Sequence, residues 1–187
     1  MSGLQFHAEG ARGIVLTRHF DAPPGAVFHA MVTPAQVARW LAPGGWSLDE
    51  MRLDPHPGGL FRMAWTGPVG VAAIRGTVLD LSPPQVIRLS ARGLPGCDDG
   101  SLEAEARIDA EAAGTRATIR LRLDSAPARD ALLDGPMPER MEARFLVLDE
   151  VLGPERAGPC GRRRTRRARF QITTTSSGGK PLKPTEE

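Results

Sequence analysis

Two neighbouring segments in the second half of the chain alternate between apolar and polar residues. Apolar residues occupy every second position from Leu102 to Ile108 and again from Ala117 to Leu123, and a turn near Gly114 separates the segments. Because successive side chains of a strand point to opposite faces, this pattern predicts an antiparallel hairpin with one buried and one solvated face. The chain must therefore supply apolar elements that cover one face of a sheet.

Five other stretches have the composition of strands. Turns rich in Gly and Pro separate most of them, such as the turn at residues 56–59, and the prolines that follow Ser82 end a strand because they cannot donate a ladder hydrogen bond. Together with the hairpin, the pattern predicts an antiparallel sheet of about six to seven strands. The five stretches are residues 14–20, 46–54, 60–65, 73–81 and 86–91.

Two short helices are predicted directly after the first strand. Asp21 is a candidate N-cap for the first helix. For the second, Thr33 is a candidate N-cap, Pro34 occupies the first helical position and Gln36 the third, which is the pattern of a capping box. Helices this short are marginal alone, so we expect both to pack on the sheet.

The longest predicted helix covers residues 138–152. Its apolar residues recur at spacings of three and four, which places them on one face, and Gly153 provides the expected end. Strands linked by hairpins, with helices on one side, indicate an α+β fold. The apolar residues of this face are Met141, Phe145, Leu148 and Leu152.

Charge divides the chain into a body and a tail. Residues 1–152 contain 15 Arg and 19 acidic residues, whereas residues 153–187 contain 7 Arg, 2 Lys and 3 Glu. Six of these arginines fall within residues 162–169. A segment with so much charge and so little apolar surface is expected to be disordered, and it offers at most a weak, nonspecific contact with nucleic acid.

Composition excludes several classes of protein. No apolar run approaches the roughly 20 residues of a membrane span, and the first residues lack the pattern of a signal peptide. Cys97 and Cys160 are isolated, so they predict neither a disulfide framework nor a metal site. We expect a cytoplasmic protein with a loose segment at residues 1–12, one domain at residues 13–152 and a disordered tail at residues 153–187.

Short sequence pieces between residues 13 and 152 follow one another in a characteristic order. The pieces are residues 18–23, Val27-Phe28, Thr33-Pro34 with Trp40, Leu53-Asp54, residues 57–59, Arg75-Gly76, Pro83-Pro84, residues 114–116 and the final helix. In this order the chain resembles the START-like superfamily, and within it the bacterial branch related to the C-terminal domain of the activator of Hsp90 ATPase. This resemblance implies a helix-grip fold, in which a curved antiparallel sheet wraps a long C-terminal helix and leaves a ligand cavity between them.

Candidate ligand-binding residues follow from the strand at 60–65 and the long helix. Small-molecule sites are mostly apolar with few polar groups, and the apolar residues of these two elements suit such a site. We therefore predict an apolar cavity between the two elements, with Trp40 or Trp46 near its mouth. Arg18, Arg62, Arg75 and Arg88 interrupt strands, and any of them that points inward would anchor a carboxylate. The full set of candidates is Trp40, Trp46, Phe61, Met63, Trp65, Arg75, Met141 and Phe145.

No catalytic constellation is visible. The histidines lack metal-ligand spacing, the serines lie in no nucleophile elbow, and there is no Tyr. We therefore predict a binding protein for a small apolar or amphipathic ligand, without metal or cofactor. Two alternatives stay open: a chaperone-associated interaction module with a protein partner, and an enzyme similar to polyketide cyclases and aromatases.

Overall fold

A computed structural model describes residues 3–42, 45–68, 70–93 and 100–153. Within these ranges it contains eight strands and four helices. In chain order they are β1 (Gln5–Glu9), β2 (Gly13–Phe20), α1 (Pro24–Val32), α2 (Pro34–Trp40), β3 (Ser47–Leu53), β4 (Leu60–Gly67), β5 (Gly70–Ser82), β6 (Val86–Arg92), β7 (Ser101–Glu111), β8 (Gly114–Leu123), α3 (Ala126–Asp134) and α4 (Met137–Leu152).

The eight strands form one unclosed antiparallel sheet in the order β1-β2-β8-β7-β6-β5-β4-β3. β7 and β8 are the predicted hairpin, with Leu102 opposite Leu123 and Ile108 opposite Ala117. These four side chains are buried, as the alternation predicts. The α+β class and the helix-grip arrangement are therefore confirmed, with a strand count slightly higher than expected.

The extra strand is β1, in the segment that we expect to be loose. It pairs with β2 from Gln5↔Thr17 to Glu9↔Gly13 and covers that edge of the sheet. Four of its five residues are exposed, so an alternating apolar pattern is absent although the backbone hydrogen bonds form. The expectation of a loose segment at residues 1–12 is wrong for these five residues.

The side-chain caps predicted for α1 and α2 do not form. α1 follows Pro23 and has no side-chain cap, so Asp21 does not cap it. Thr33 stands at the N-cap of α2, but its side chain makes no cap bond. Its backbone N–H, which a capping box would give to the Gln36 side chain, donates to the His29 carbonyl and closes α1. The Gln36 amide contacts the His29 ring at 3.1 Å instead of reaching back to Thr33.

α3 is a second element that the sequence analysis does not predict. Its N-cap is Ser125, whose hydroxyl accepts a hydrogen bond from the backbone of Ala128 at 3.2 Å. Leu132 is its single buried residue, so the helix has no apolar stripe to reveal it. α3 packs against β8 and α4 and covers one end of the sheet's inner face.

The apolar interior has two clusters that meet at α4. One cluster contains Phe61, Met63 and Trp65 of β4 together with Leu132 of α3. The other contains residues of α1, α2, β2 and α4, and Phe145 is at its centre, 1% exposed. The predictions for Cys97, Cys160 and the arginine-rich tail fall outside the residues that the structure describes.

Candidate functional site

A cavity of about 250 Å³ lies between the inner face of the sheet and the two C-terminal helices. Its walls are mainly apolar side chains of β2, β4, β5, β6, β7 and β8, and its other side is α3, α4 and the turn between them. Four residues of α4 line it at helical spacings of three, one and three, which places them on one helix face. They are Met137, Arg140, Met141 and Arg144.

Two of the predicted ligand-binding residues line this cavity. Trp65 contributes from β4 and Met141 from α4. Phe61 and Met63 share the buried face of β4 with Trp65, but they lie in the core cluster and are not part of the cavity wall. The cavity is therefore displaced from the expected position, away from the start of β4 and towards β6, β7 and β8.

The other predicted site residues lie elsewhere. Trp40 is buried beside Phe145, with ring centroids 6.1 Å apart, and its Nε1 donates to the carbonyl of Ala30 at 3.0 Å. These contacts place Trp40 and Phe145 in the second core cluster. Trp46 lies under the guanidinium of Arg140 at 5.3 Å from the ring centroid, so it borders the cavity through that arginine.

The strand arginines predicted as candidate carboxylate anchors do not line this cavity. Arg62 and Arg75 lie opposite each other on adjacent strands, and both side chains are exposed, as is that of Arg88. Arg18 does point inward and is 4% exposed, but its guanidinium already forms ion pairs with carboxylates of the chain. Its guanidinium pairs with Asp149 and, at 2.9 Å, with Glu142 of α4.

The environment of Arg18 favours the charged form of its guanidinium. Burial alone would lower the pKa of Arg18, but the hydrogen bonds and negative charges of Asp149 and Glu142 outweigh it and raise the pKa. Glu142 also accepts a hydrogen bond from the backbone N–H of Leu4 at 2.9 Å. This network joins β2, α4 and the residue that precedes β1, and so it has a structural role.

Arg144 has the opposite environment. Its guanidinium lies 5.6 Å from the ring centroid of Trp65, its Nη1 contacts the Met141 sulfur at 3.7 Å, and its Nε is buried without a hydrogen-bond partner. Among the described residues, no carboxylate forms a salt bridge with it. Burial, followed by repulsion from Arg140, lowers the pKa of Arg144 to about 10. The group therefore stays charged at neutral pH.

A second unpartnered donor lies beside Arg144. Trp65 is 4% exposed, and its Nε1 is buried with no acceptor among the described residues. Buried N–H groups are nearly always paired, because an unpaired one keeps the full cost of losing its water. The cavity thus joins apolar walls to two N–H groups, one of them cationic, that lack an acceptor.

Sequence reasoning missed Arg140 and Arg144. Both flank the apolar stripe of α4, where an arginine is normally solvated. Each arginine lies three residues after a methionine, Met137 or Met141, and this spacing is the one signal that places them on a shared face. No group of three or more His, Cys, Asp or Glu that could hold a metal occurs in the described ranges, and no helix there is long and apolar enough to span a membrane.

An unclosed antiparallel sheet that wraps a long C-terminal helix, with a cavity between them, defines a START-like helix-grip protein. Residues 21–153 match the model of the family described as activator of Hsp90 ATPase homolog 1-like protein. The chain belongs to this family. No curated protein sequence matches the chain.

Solved structures with similar folds come from several bacteria. A Rhodobacter sphaeroides protein is 29% identical with a TM-score of 0.73, covering 80% of this chain and 97% of its own. A Mycobacterium smegmatis protein is 21% identical with a TM-score of 0.71, covering 81% and 96%. A Nitrosomonas europaea protein is 20% identical with a TM-score of 0.68, covering 78% and 96%. The last two similarities show the fold alone.

Proposed function

We propose that this protein is a cytoplasmic, non-catalytic binding protein for a small, mostly apolar molecule. The observation that carries the proposal is the cavity of about 250 Å³ between the inner sheet face and the helices α3 and α4. Pockets for drug-sized ligands have volumes of roughly 300–1,000 Å³. The cavity is smaller, so the expected ligand is compact, with an apolar body that the wall residues surround.

The character of the walls supports binding over catalysis. Met137 and Met141 are flexible and polarisable, which suits a surface that adapts to the shape of a ligand. The titratable groups that line the cavity are Arg140 and Arg144. Arg144 is not a general base at neutral pH, since its pKa is about 10.

Native mass spectrometry of the purified full chain tests the proposal. We expect a co-purified small molecule, or stoichiometric binding of an added apolar probe such as 1-octanol or 3-phenylpropanol. Binding should change the tryptophan fluorescence because Trp65 lines the cavity. It should also raise the melting temperature, since a ligand at 100 times its Kd stabilises the native state by about 2.7 kcal/mol.

A matched pair of alanine variants locates the binding site. Ala104 lines the cavity on β7, and Ala110 is exposed further along the same strand. Ala104→Phe should fill the cavity and abolish probe binding, while Ala110→Phe adds the same side chain outside it and should leave binding unchanged. Binding that survives in folded Ala104→Phe would place the ligand elsewhere. No binding by the wild-type chain would favour the chaperone-associated module.

A further inference from the structure

We propose that the ligand carries an anionic head group, a carboxylate, which Arg144 and the Nε1 of Trp65 bind inside the cavity with Arg140 adding positive charge at its edge. This inference rests on the proposed function, since it names the chemistry of the molecule that the cavity accepts. Three features of the structure support it: the charge balance of the cavity, the position of the acids on α4 and the unpaired N–H donors.

The charge of the cavity is unbalanced. Arg140 and Arg144 both line it, and no Asp or Glu is among the described residues that line it. A buried guanidinium is costly unless it is paired, because water no longer solvates its charge. The faces of Trp46 and Trp65 offset part of this cost through cation–π contacts at 5.3 and 5.6 Å, but an aromatic ring carries no net negative charge.

The carboxylates of α4 are directed away from this cavity. Glu142 is two residues from both Arg140 and Arg144, and residues at that separation lie on different sides of a helix. Both Glu142 and Asp149 pair with Arg18 of β2 instead. Glu139 is exposed. The helix thus segregates its acids and its arginines, and an acceptor for Arg144 has to come from outside the described residues.

The unpaired donors suit a carboxylate. The guanidinium of Arg144 has a planar set of N–H donors, which matches the two oxygens of a carboxylate better than the point charge of a lysine would. Trp65 adds one directional N–H from the facing strand, and the side chain is 4% exposed. A molecule with one acidic group and an apolar body would use these donors and leave its body against the walls of β6, β7 and β8.

Matched acid and alcohol probes test the head group separately from the cavity. Octanoate is compared with 1-octanol, and 3-phenylpropanoate with 3-phenylpropanol, by isothermal titration calorimetry on the full chain at pH 7.5. We expect the acid of at least one pair to bind at least tenfold more tightly than its alcohol. Equal affinity, or tighter alcohol binding, would overturn the anionic head group while leaving the binding function intact. Failure of all four probes to bind would overturn both.

Three variants locate the preference. Arg144→Met keeps the apolar volume and should remove most of the preference for acid over alcohol, with alcohol binding retained. Trp65→Phe keeps an aromatic ring without the N–H and should reduce the preference severalfold. Arg75→Met removes an equal charge from the outer face and should leave the preference for acid over alcohol unchanged. A preference that survives Arg144→Met would show that another site binds the anion, and a preference that falls equally in Arg75→Met would show that overall charge selects it.

Discussion

Arg18 and Arg144 both point inward in the described part of the chain, but they differ in what surrounds them. Arg18 meets α4 on one side, where Glu142 and Asp149 take up its charge. Arg144 projects from another face of the same helix into the cavity, where the described residues offer it an indole ring and a sulfur atom but no carboxylate. Only the charge of Arg18 is balanced by carboxylates within the described part of the chain.

This difference separates a structural side of α4 from a binding side. On the structural side, ion pairs and tightly packed rings join the helix to β2 and to the short helices. On the binding side, flexible methionines and unpaired donors leave a space that costs stability. Proteins keep such unfavourable arrangements mainly at functional sites. Substitutions on the two sides should therefore change stability in opposite directions.

The largest expected effect is the loss of packing on the structural side. Phe145 is 1% exposed and contacts Phe20 and Trp40, with ring centroids 5.9 and 6.1 Å away. Phe145→Ala should lower the free energy of unfolding by about 3–5 kcal/mol, measured by urea denaturation. The neighbouring residue Leu146 is 49% exposed, so Leu146→Ala is the matched control and should cost less than about 1 kcal/mol.

A small effect at Phe145 would change the division of α4 into a structural and a binding side. If Phe145→Ala cost no more than Leu146→Ala, this face of α4 would be less tightly packed than the ring contacts indicate. It would then belong to the binding side of the helix, as the sequence analysis predicts for Phe145.

The second effect is the loss of the ion pairs of Arg18. Arg18→Met leaves Glu142 and Asp149 without their cation, and we expect a loss of about 2–3 kcal/mol in the free energy of unfolding at pH 7. The value is at the low end for a broken buried pair because the two acids are 36% and 33% exposed and can regain water. Chemical denaturation measures it.

Neutralising the acids is the control for Arg18. In the Arg18→Met background, Glu142→Gln with Asp149→Asn should recover part of the loss, because the amides carry no charge that needs a partner. If the triple variant is less stable than Arg18→Met, the cost lies in lost packing of the arginine stem, and the ion pairs contribute little.

Most of the fold could be predicted from the sequence because its main elements have a regular apolar period. The β7–β8 hairpin, the strands of the central sheet and α4 all have a buried stripe with the right spacing. β1 and α3 could not be found in this way, because β1 is largely exposed and Leu132 is the single buried residue of α3. Their places depend on backbone pairing and on a helix cap.

The candidate site could be predicted only in part. Trp65 and Met141 were identified because they lie on apolar faces, but the position of the cavity depends on how strongly the sheet curves. Irregularities in β3 and β5, at Leu48/Glu50 and at Val78/Asp80, shift the strand register. Such bulges bend a sheet without leaving an apolar period in the sequence. An arginine on the flank of a helix stripe can be identified as buried only after that curvature is known.

The smallest expected effect has the opposite sign and lies on the binding side. Arg144→Met should raise the free energy of unfolding of the ligand-free protein by about 1–2 kcal/mol at pH 7, because it removes a desolvated charge and keeps the apolar stem. Arg144→Lys retains the charge and is the matched control, for which we expect no gain. A loss as large as that of Arg18→Met would mean that Arg144 already has a partner within the chain.

The pH dependence of this gain tests its cause. In the folded protein the pKa of Arg144 is about 10, which is well below the ordinary range of arginine. Below pH 10 the guanidinium is charged in both the folded and the unfolded state, so the full cost of burying the charge is present. As the pH rises above 10, the folded state releases the proton first, and this cost declines. The stability difference between Arg144→Met and the wild type should therefore stay constant from pH 7 to 9 and shrink from pH 10 to 11. A difference that does not change across this range would assign the gain to altered packing and not to the buried charge.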